Sequence, residues 1–192
     1  MKDLQQAQET LAEMQSDQFF VPLGSWEPIV TAAFSGMSKI DWIIPGSRCF
    51  VGAVLRGANV NRLKNPRAGA KPYKIAPSSK HPAHRALHGV GIAMATKKPT
   101  LCILGSAAIA NGSFYEALNL ATLHRAPIVF LVIHQSLGAD APLSMQGENP
   151  TGVAKAFGIS TVEVNDVAEV EQTVRSARDT LQPNLILVHL ER

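Results

Sequence analysis

The stretch GSAAIANG, Gly105 to Gly112, runs directly out of the apolar segment LCIL and into a helical pattern. A glycine turn between a strand and a helix exposes backbone amides, and the dipole of the following helix favours an anion there. The spacing is neither G-x-G-x-x-G nor G-x-x-x-x-G-K-[ST]. An ordinary tight turn explains it equally well. Ser106 is the first side chain past the glycine, so it is the candidate nucleophile. A hydrolase elbow needs glycines two residues before and after its serine. Those positions hold Leu104 and Ala108, which argues against a triad of Ser106, Asp140 and His134 or His189.

The chain has six histidines. His84 and His88 are four apart on one helical face, but no H-E-x-x-H glutamate and no third ligand accompany them. His134 differs, because it falls at the end of an apolar run, where loops meet ligands in α/β proteins. The two cysteines, Cys49 and Cys102, have no metal spacing. Free thiols in a cytoplasmic setting are the expectation.

These residues need a scaffold, and the apolar pattern describes one. LCILG, IVFLVI and LILVHL are continuous apolar runs, with TVEV (Thr161 to Val164) a shorter candidate. Continuous runs imply strands covered on both faces, as in parallel sheets. Helical patterns lie between them: GSFYEALNLATLHR, GVAKAFG and VAEVEQTVRSARDTL. The alternation predicts a doubly wound α/β sheet, mostly parallel, with helices on both faces. Ligands then collect at the carboxyl ends of the strands. That gathers GSAAIANG, HQSLGAD and the loop before His84.

In the first half, Leu4, Ala7, Leu11 and Met14 share a face of an amphipathic helix over 2–17. Glu27 to Met37 reads as a second helix with Pro28 in its first turn. DWIIPGSR should turn out into a loop, and GAVLRG reads as a short helix. Asn65 to Pro82 reads as a long surface loop, and HRALHGVGIAMAT (His84 to Thr96) as a helix. Within GSFYEALNLA, Ser113, Ala117 and Ala121 are spaced by four and form a small-residue ridge beside Glu116. Core packing explains the ridge; a subunit interface is the sharper alternative.

The 192 residues suit one domain, 1–192, with an N-terminal helical segment over about 1–20. An apolar fraction of 46% and a charged fraction of 17% describe a globular chain. The net charge of +3 is too small to argue for nucleic acid. The basic cluster RLKNPRAGAKPYK lacks the aromatic interleaving of a single-strand binder. No apolar run is long enough for a membrane span, and the polar N-terminus lacks a signal-peptide core.

In order and spacing, the residues resemble the alpha subunit of thiamine-diphosphate-dependent 2-oxo acid dehydrogenases of the pyruvate and branched-chain type. SWEPIVTAAFSGMSKIDWIIPGSRCFVGAVLRG resembles the family's G-Q-E-A…D-x-V-x-x-x-Y-R-x-H-x-x-x-L-x-R-G segment. HRALHGVGIAMA resembles its Q-L-P-x-A-x-G-A-A-x-A helix. LGSAAIANGSFYEALNLATLHRAPIVFLVIHQSLG resembles G-D-G-A-x-N-x-G-x-x-x-E-A-x-N-x-A-x-x-x-x-x-P-x-x-F-x-x-x-N-N-x-x-G. AKAFGISTVEVNDVAEVEQTVRSA resembles the A-x-A-x-G segment that follows. Gly112, Glu116, Ala117, Asn119, Ala121, Pro127 and Phe130 fit in register.

The resemblance implies a thiamine-diphosphate-binding fold, and cofactor contacts at Arg48, Gly105, Ser106, Ala107 and Gln135. It assigns magnesium to the positions of Ser106, Gln135 and the Leu137 carbonyl. The departures fall on those positions. Ser106 replaces the metal-binding aspartate and Gln135 an asparagine. The Y-R pair becomes Ser47 and Arg48, and the histidine beyond it becomes Phe50. The H-G-x-x-G stretch becomes roughly SKHPA (Ser79 to Ala83). Magnesium favours hard oxygen ligands with at least one carboxylate.

The expectation is therefore a trimmed, non-catalytic relative with weak or absent cofactor binding, acting as a structural or regulatory subunit. By resemblance its partner is a second copy or a beta-subunit-like protein, which in the family contributes the activating glutamate. No nucleic acid or membrane partner is expected. One alternative is an active 2-oxo acid dehydrogenase or decarboxylase component completed by that partner. Another is a binder of a different small anion or nucleotide, through Arg48, Lys80, His81, His84 and His134.

Overall fold

Every long apolar run of the second half forms a strand, and all of them run the same way. The computed structural model describes residues 24–46, 55–57, 71–76, 81–135 and 149–190. The strands are β1 (Trp42–Ile44), β2 (Thr100–Gly105), β3 (Ile128–Gln135), β4 (Ser160–Val164) and β5 (Asn184–Leu190). They form one five-stranded sheet in the order β1-β2-β3-β5-β4, and every pair is parallel. The helices are α1 (Glu27–Ser35), α2 (His84–Thr96), α3 (Ser106–Ile109), α4 (Gly112–Leu123), α5 (Pro150–Ala156) and α6 (Val167–Asp179).

Strand order and helix placement follow from one handedness rule. From β1 to β4 the chain advances across the sheet, and its crossover helices α2, α4 and α5 pack with Cys102, Leu104, Phe130, Val132 and Leu187. From β4 it steps back to insert β5. Parallel crossovers are right-handed, so a reversed step must use the opposite face. There α6 packs with α1 on Leu101, Ile103, Val129, Leu131, Ile186 and Val188. The doubly wound parallel architecture expected from the pattern is the one observed.

Local signals set the helix starts. Pro28 lies in the first turn of α1 and Pro150 in that of α5, where a missing N–H costs nothing. Asn111, Asn149 and Asp166 cap α4, α5 and α6 by accepting backbone N–H bonds from Ser113, Thr151 and Ala168. Two glycines allow close approach. A Cβ on Gly36 would stand 2.7 Å from the Glu171 carbonyl oxygen, so α1 lies hard against α6. One on Gly89 would stand 2.9 Å from Ile128 Cδ1, where α2 meets the sheet.

Two expectations need correction. DWIIPGSR does not turn straight out into a loop, because Trp42–Ile44 is an edge strand paired with Thr100–Cys102. Three residues are too few to display a periodicity. The reading of Asn65 to Pro82 as surface loop fails at Ile75, which is buried and bridges to Ile43 on the outer side of β1. An apolar residue covering a sheet edge left no mark in a proline- and lysine-rich stretch. The helix expected over 2–17 lies outside the described residues, as does the first half of GAVLRG. Among the described residues no helix is long and apolar enough to cross a membrane.

Candidate functional site

Side chains alternate along a strand, and the register of this sheet lines up one face at its carboxyl edge. Gly105 pairs with Ile133 at the end of the β2–β3 ladder, and His134 pairs with His189 between β3 and β5. Glu163 pairs with Leu187, two residues before His189 and therefore on the same face. Phe130, Val132 and Leu187 put that face over α2, α4 and α5. The carboxyl edge thus carries Ser106, His134, His189 and Glu163 in spatial order across β2, β3, β5 and β4.

These side chains are joined. Ser106 Oγ lies 3.1 Å from His134 Nδ1, and Ser106 is 1% exposed. The His134 and His189 rings meet edge to face, with centroids 5.8 Å apart. His189 Nε2 lies 3.2 Å from Glu163 Oε2. Thr151 Oγ1 is 2.9 Å from Glu163 Oε1 and 3.0 Å from Asn149 Oδ1, so its one proton is shared between two acceptors. Burial, then the neighbouring His189, pushes His134 below the ordinary imidazole value. The Thr151 hydrogen bond, then the His189 bond, holds Glu163 below the ordinary carboxylate value. The arrangement favours a neutral His134 and an ionised Glu163.

Ser106 and His134 do meet, but a serine-hydrolase reading gains nothing. The carboxylate of the row bonds His189 rather than His134, and Ser106 presents almost no surface. Asp140 lies outside the described residues. Gly105 ends β2, and Ala107 is exposed on the first turn of α3. The backbone of Gln135 ends β3, opposite Leu190. Arg48, Leu137 and Lys80 fall outside the described residues. His81 and His84 stack at 4.3 Å at the start of α2 and are exposed, as is His88.

A magnesium ion is a poor match for this donor set. Ser106 contributes a neutral hydroxyl that is engaged with an imidazole. His134 and His189 contribute nitrogens, which suit transition metals better than magnesium. Glu163, the carboxylate of the row, is engaged with His189 and Thr151. Among the described residues no three histidine, cysteine, aspartate or glutamate side chains are grouped to hold a metal.

The ridge of α4 faces inward. Ala117 and Ala121 are fully buried beside Ala86, Val90 and Ala93 of α2. Glu116 is exposed and Ser113 half-buried.

Sequence reasoning missed a second polar centre at the opposite edge of the sheet. Asp41, just before β1, is fully buried. Its Oδ2 accepts from Arg178 Nε of α6 at 2.5 Å and from the Ser38 amide at 2.7 Å. Arg56 donates to the carbonyls of Asp41, Ser38 and Tyr73 at 2.7, 2.8 and 3.1 Å and lies over the Phe34 ring. Burial lowers Arg56 from its ordinary value, and the Asp41 hydrogen bond raises Arg178. The signal was present as D-x(14)-R-G within DWIIPGSRCFVGAVLRG, but its role needs the fold.

The sequence matches the dehydrogenase E1 component family over residues 27–185, from α1 into β5. The chain belongs to this family. An alpha subunit of 3-methyl-2-oxobutanoate dehydrogenase from Mycobacterium tuberculosis is 28% identical over 187 residues, covering 87% of this chain and 51% of that protein. An alpha subunit of 2-oxoisovalerate dehydrogenase from Bacillus subtilis is 31% identical over 120 residues, covering 58% and 36%. The E1 component alpha subunit of pyruvate dehydrogenase from Acholeplasma laidlawii is 27% identical over 161 residues, covering 76% and 47%. This E1-family chain thus spans about half the length of the curated relatives it matches. Among solved structures, the transketolase of Campylobacter jejuni superposes with a TM-score of 0.67 at 16% identity, covering 98% of this chain and 38% of that one. An enzyme described as thiamin diphosphate-dependent, from Mycobacterium smegmatis, gives 0.64 at 16%, covering 86% and 32%. Both share the fold. The E1 match takes in Ser106, His134 and Glu163 and ends before His189.

Proposed function

We propose that this chain is an alpha-subunit-like E1 protein that keeps the family's fold and has an impaired magnesium and thiamine diphosphate site. It would be non-catalytic on its own and serve as a structural or regulatory subunit. One residue carries the reading. Ser106 corresponds by resemblance to the metal-binding aspartate, and its Oγ is engaged with His134 Nδ1 at 3.1 Å. A neutral, buried hydroxyl supplies none of the charge that magnesium draws from a protein. Arg48, Gly105, Ala107, Gln135 and the Leu137 carbonyl are the other positions of the altered site.

The protein is proposed to act in the cytoplasm as one domain over residues 1–192, paired with a second copy or with a beta-subunit-like partner. Ser113 of the α4 ridge and Glu116 beside it are the accessible residues that such a partner would meet. Isothermal calorimetry with thiamine diphosphate and magnesium tests the reading. No binding tighter than millimolar is expected. Micromolar, magnesium-dependent binding would overturn it in favour of an active component, to be checked by pyruvate turnover with an artificial electron acceptor and a co-purified partner. Its 2-oxo acid class would follow the relatives' names.

A further inference from the structure

We infer that Ser106 and His134 form a clasp that joins the carboxyl ends of β2 and β3 where a metal ion would otherwise sit, so that the folded chain neither needs nor gains from a divalent cation. The inference rests on the proposed impairment of the cofactor site and names what has taken its place.

Three observations carry it. The backbone pairing of β2 with β3 ends at Gly105 and Ile133. The next residue after Gly105 is Ser106, the first of α3, the next along β3 is His134, and their side chains bond at 3.1 Å. The clasp therefore extends the ladder by one step after the backbone has left it. Second, Ser106 is 1% exposed, so its hydroxyl must find a partner inside the protein or lose a hydrogen bond outright. A cation at this point would compete with His134 for that oxygen and offer magnesium a nitrogen-lined neighbourhood in return. Third, the clasp continues sideways. The His134 ring abuts His189 edge-on, and Glu163 ties His189 to Thr151 in the first turn of α5. Among the described residues, protein groups thus link all four carboxyl ends from β2 to β4.

The test is thermal denaturation of the full chain with EDTA, with magnesium chloride alone and with calcium chloride alone. The melting temperature should be the same in all three. Ser106→Ala and His134→Ala should each lower it by about 2–4 °C, the shift expected when roughly one hydrogen bond is lost from a chain of this size. The double variant should lose no more than the larger single loss, because the two residues share one interaction. Ser106→Thr keeps the hydroxyl and should retain most of the stability. Stabilisation of the unmodified chain by magnesium would overturn the inference. So would losses that simply add, or single variants without effect. If either variant does not fold, the cation series on the unmodified chain decides. Additive losses would remove the clasp and leave the proposed function standing, whereas micromolar thiamine diphosphate binding would remove the proposed function by itself.

Discussion

Arg178 Nε and Asp41 Oδ2 meet at 2.5 Å across 137 positions of sequence. The contact pins the end of α6 to the start of β1, and so ties the last crossover helix to the first strand. Asp41 is fully buried while Arg178 keeps part of its side chain in water. Asp41 Oδ1 is buried and finds no partner among the described residues, so the carboxylate depends on its other oxygen.

Asp41→Ala should destabilise the chain by about 3 kcal/mol, toward the lower end for breaking a buried ion pair, because Arg178 recovers some hydration. The Ser38 amide loses its acceptor in the same step. Urea denaturation followed by circular dichroism measures the cost. A change within experimental error would mean the pair contributes nothing net.

Gly36→Ala should cost about 1–3 kcal/mol, as overpacking does where neither side can move. The new Cβ would meet backbone oxygen of Glu171 and the Val174 side chain, both under 3.0 Å away. Gly112→Ala is the control, since nothing stands within 4 Å of its Cβ position. Paired melting curves should show a loss at residue 36 and none at residue 112.

Stability should fall on acidification. His134 has a depressed folded value, so below the ordinary imidazole value of 6.5 protons bind the unfolded chain first and favour it. Glu163 is also depressed. Its contribution is complete above its unfolded value of 4.5 and is lost as pH falls through the lower folded value. Melting temperatures read from neutral pH downward should therefore decline over both ranges. Glu163→Gln should flatten the more acidic limb and leave the upper one. A melting temperature that rises on acidification contradicts both assignments.

Cys102 should resist thiol reagents in the folded chain. It is fully buried in β2, and burial, opposed only in part by Arg85, pushes its thiol up to about 12. Reactivity requires the thiolate. Iodoacetamide labelling at neutral pH, read by peptide mass spectrometry, should leave Cys102 unmodified until denaturant is added. Labelling at native rates equal to those in denaturant would show that β2 opens locally.

Much of the fold was legible because a central parallel strand must be apolar throughout. LCILG, IVFLVI and LILVHL could hardly be anything else once helical patterns lay between them. β1 was missed because three residues carry no period, and Ile75 because one buried bridge leaves no pattern. At the candidate site, Ser106 and His134 were each picked out from their positions at strand ends. Their bond was not legible, since it requires β2 and β3 to be neighbours in register. Glu163 and His189 went unpaired for the same reason, β5 being inserted between β3 and β4 only after the chain reverses direction.

By itself the sequence determined the strand and helix alternation, the family resemblance, and a serine at residue 106, where that resemblance leads one to expect an aspartate. These are properties of local pattern and residue type. What only the tertiary structure decided is where that serine's hydrogen bond goes, which carboxylate joins which histidine, and how Asp41 meets Arg178. Each depends on strand order and side-chain direction. Both are set by the handedness of crossovers and by packing on two faces of one sheet, not by any local run of residues.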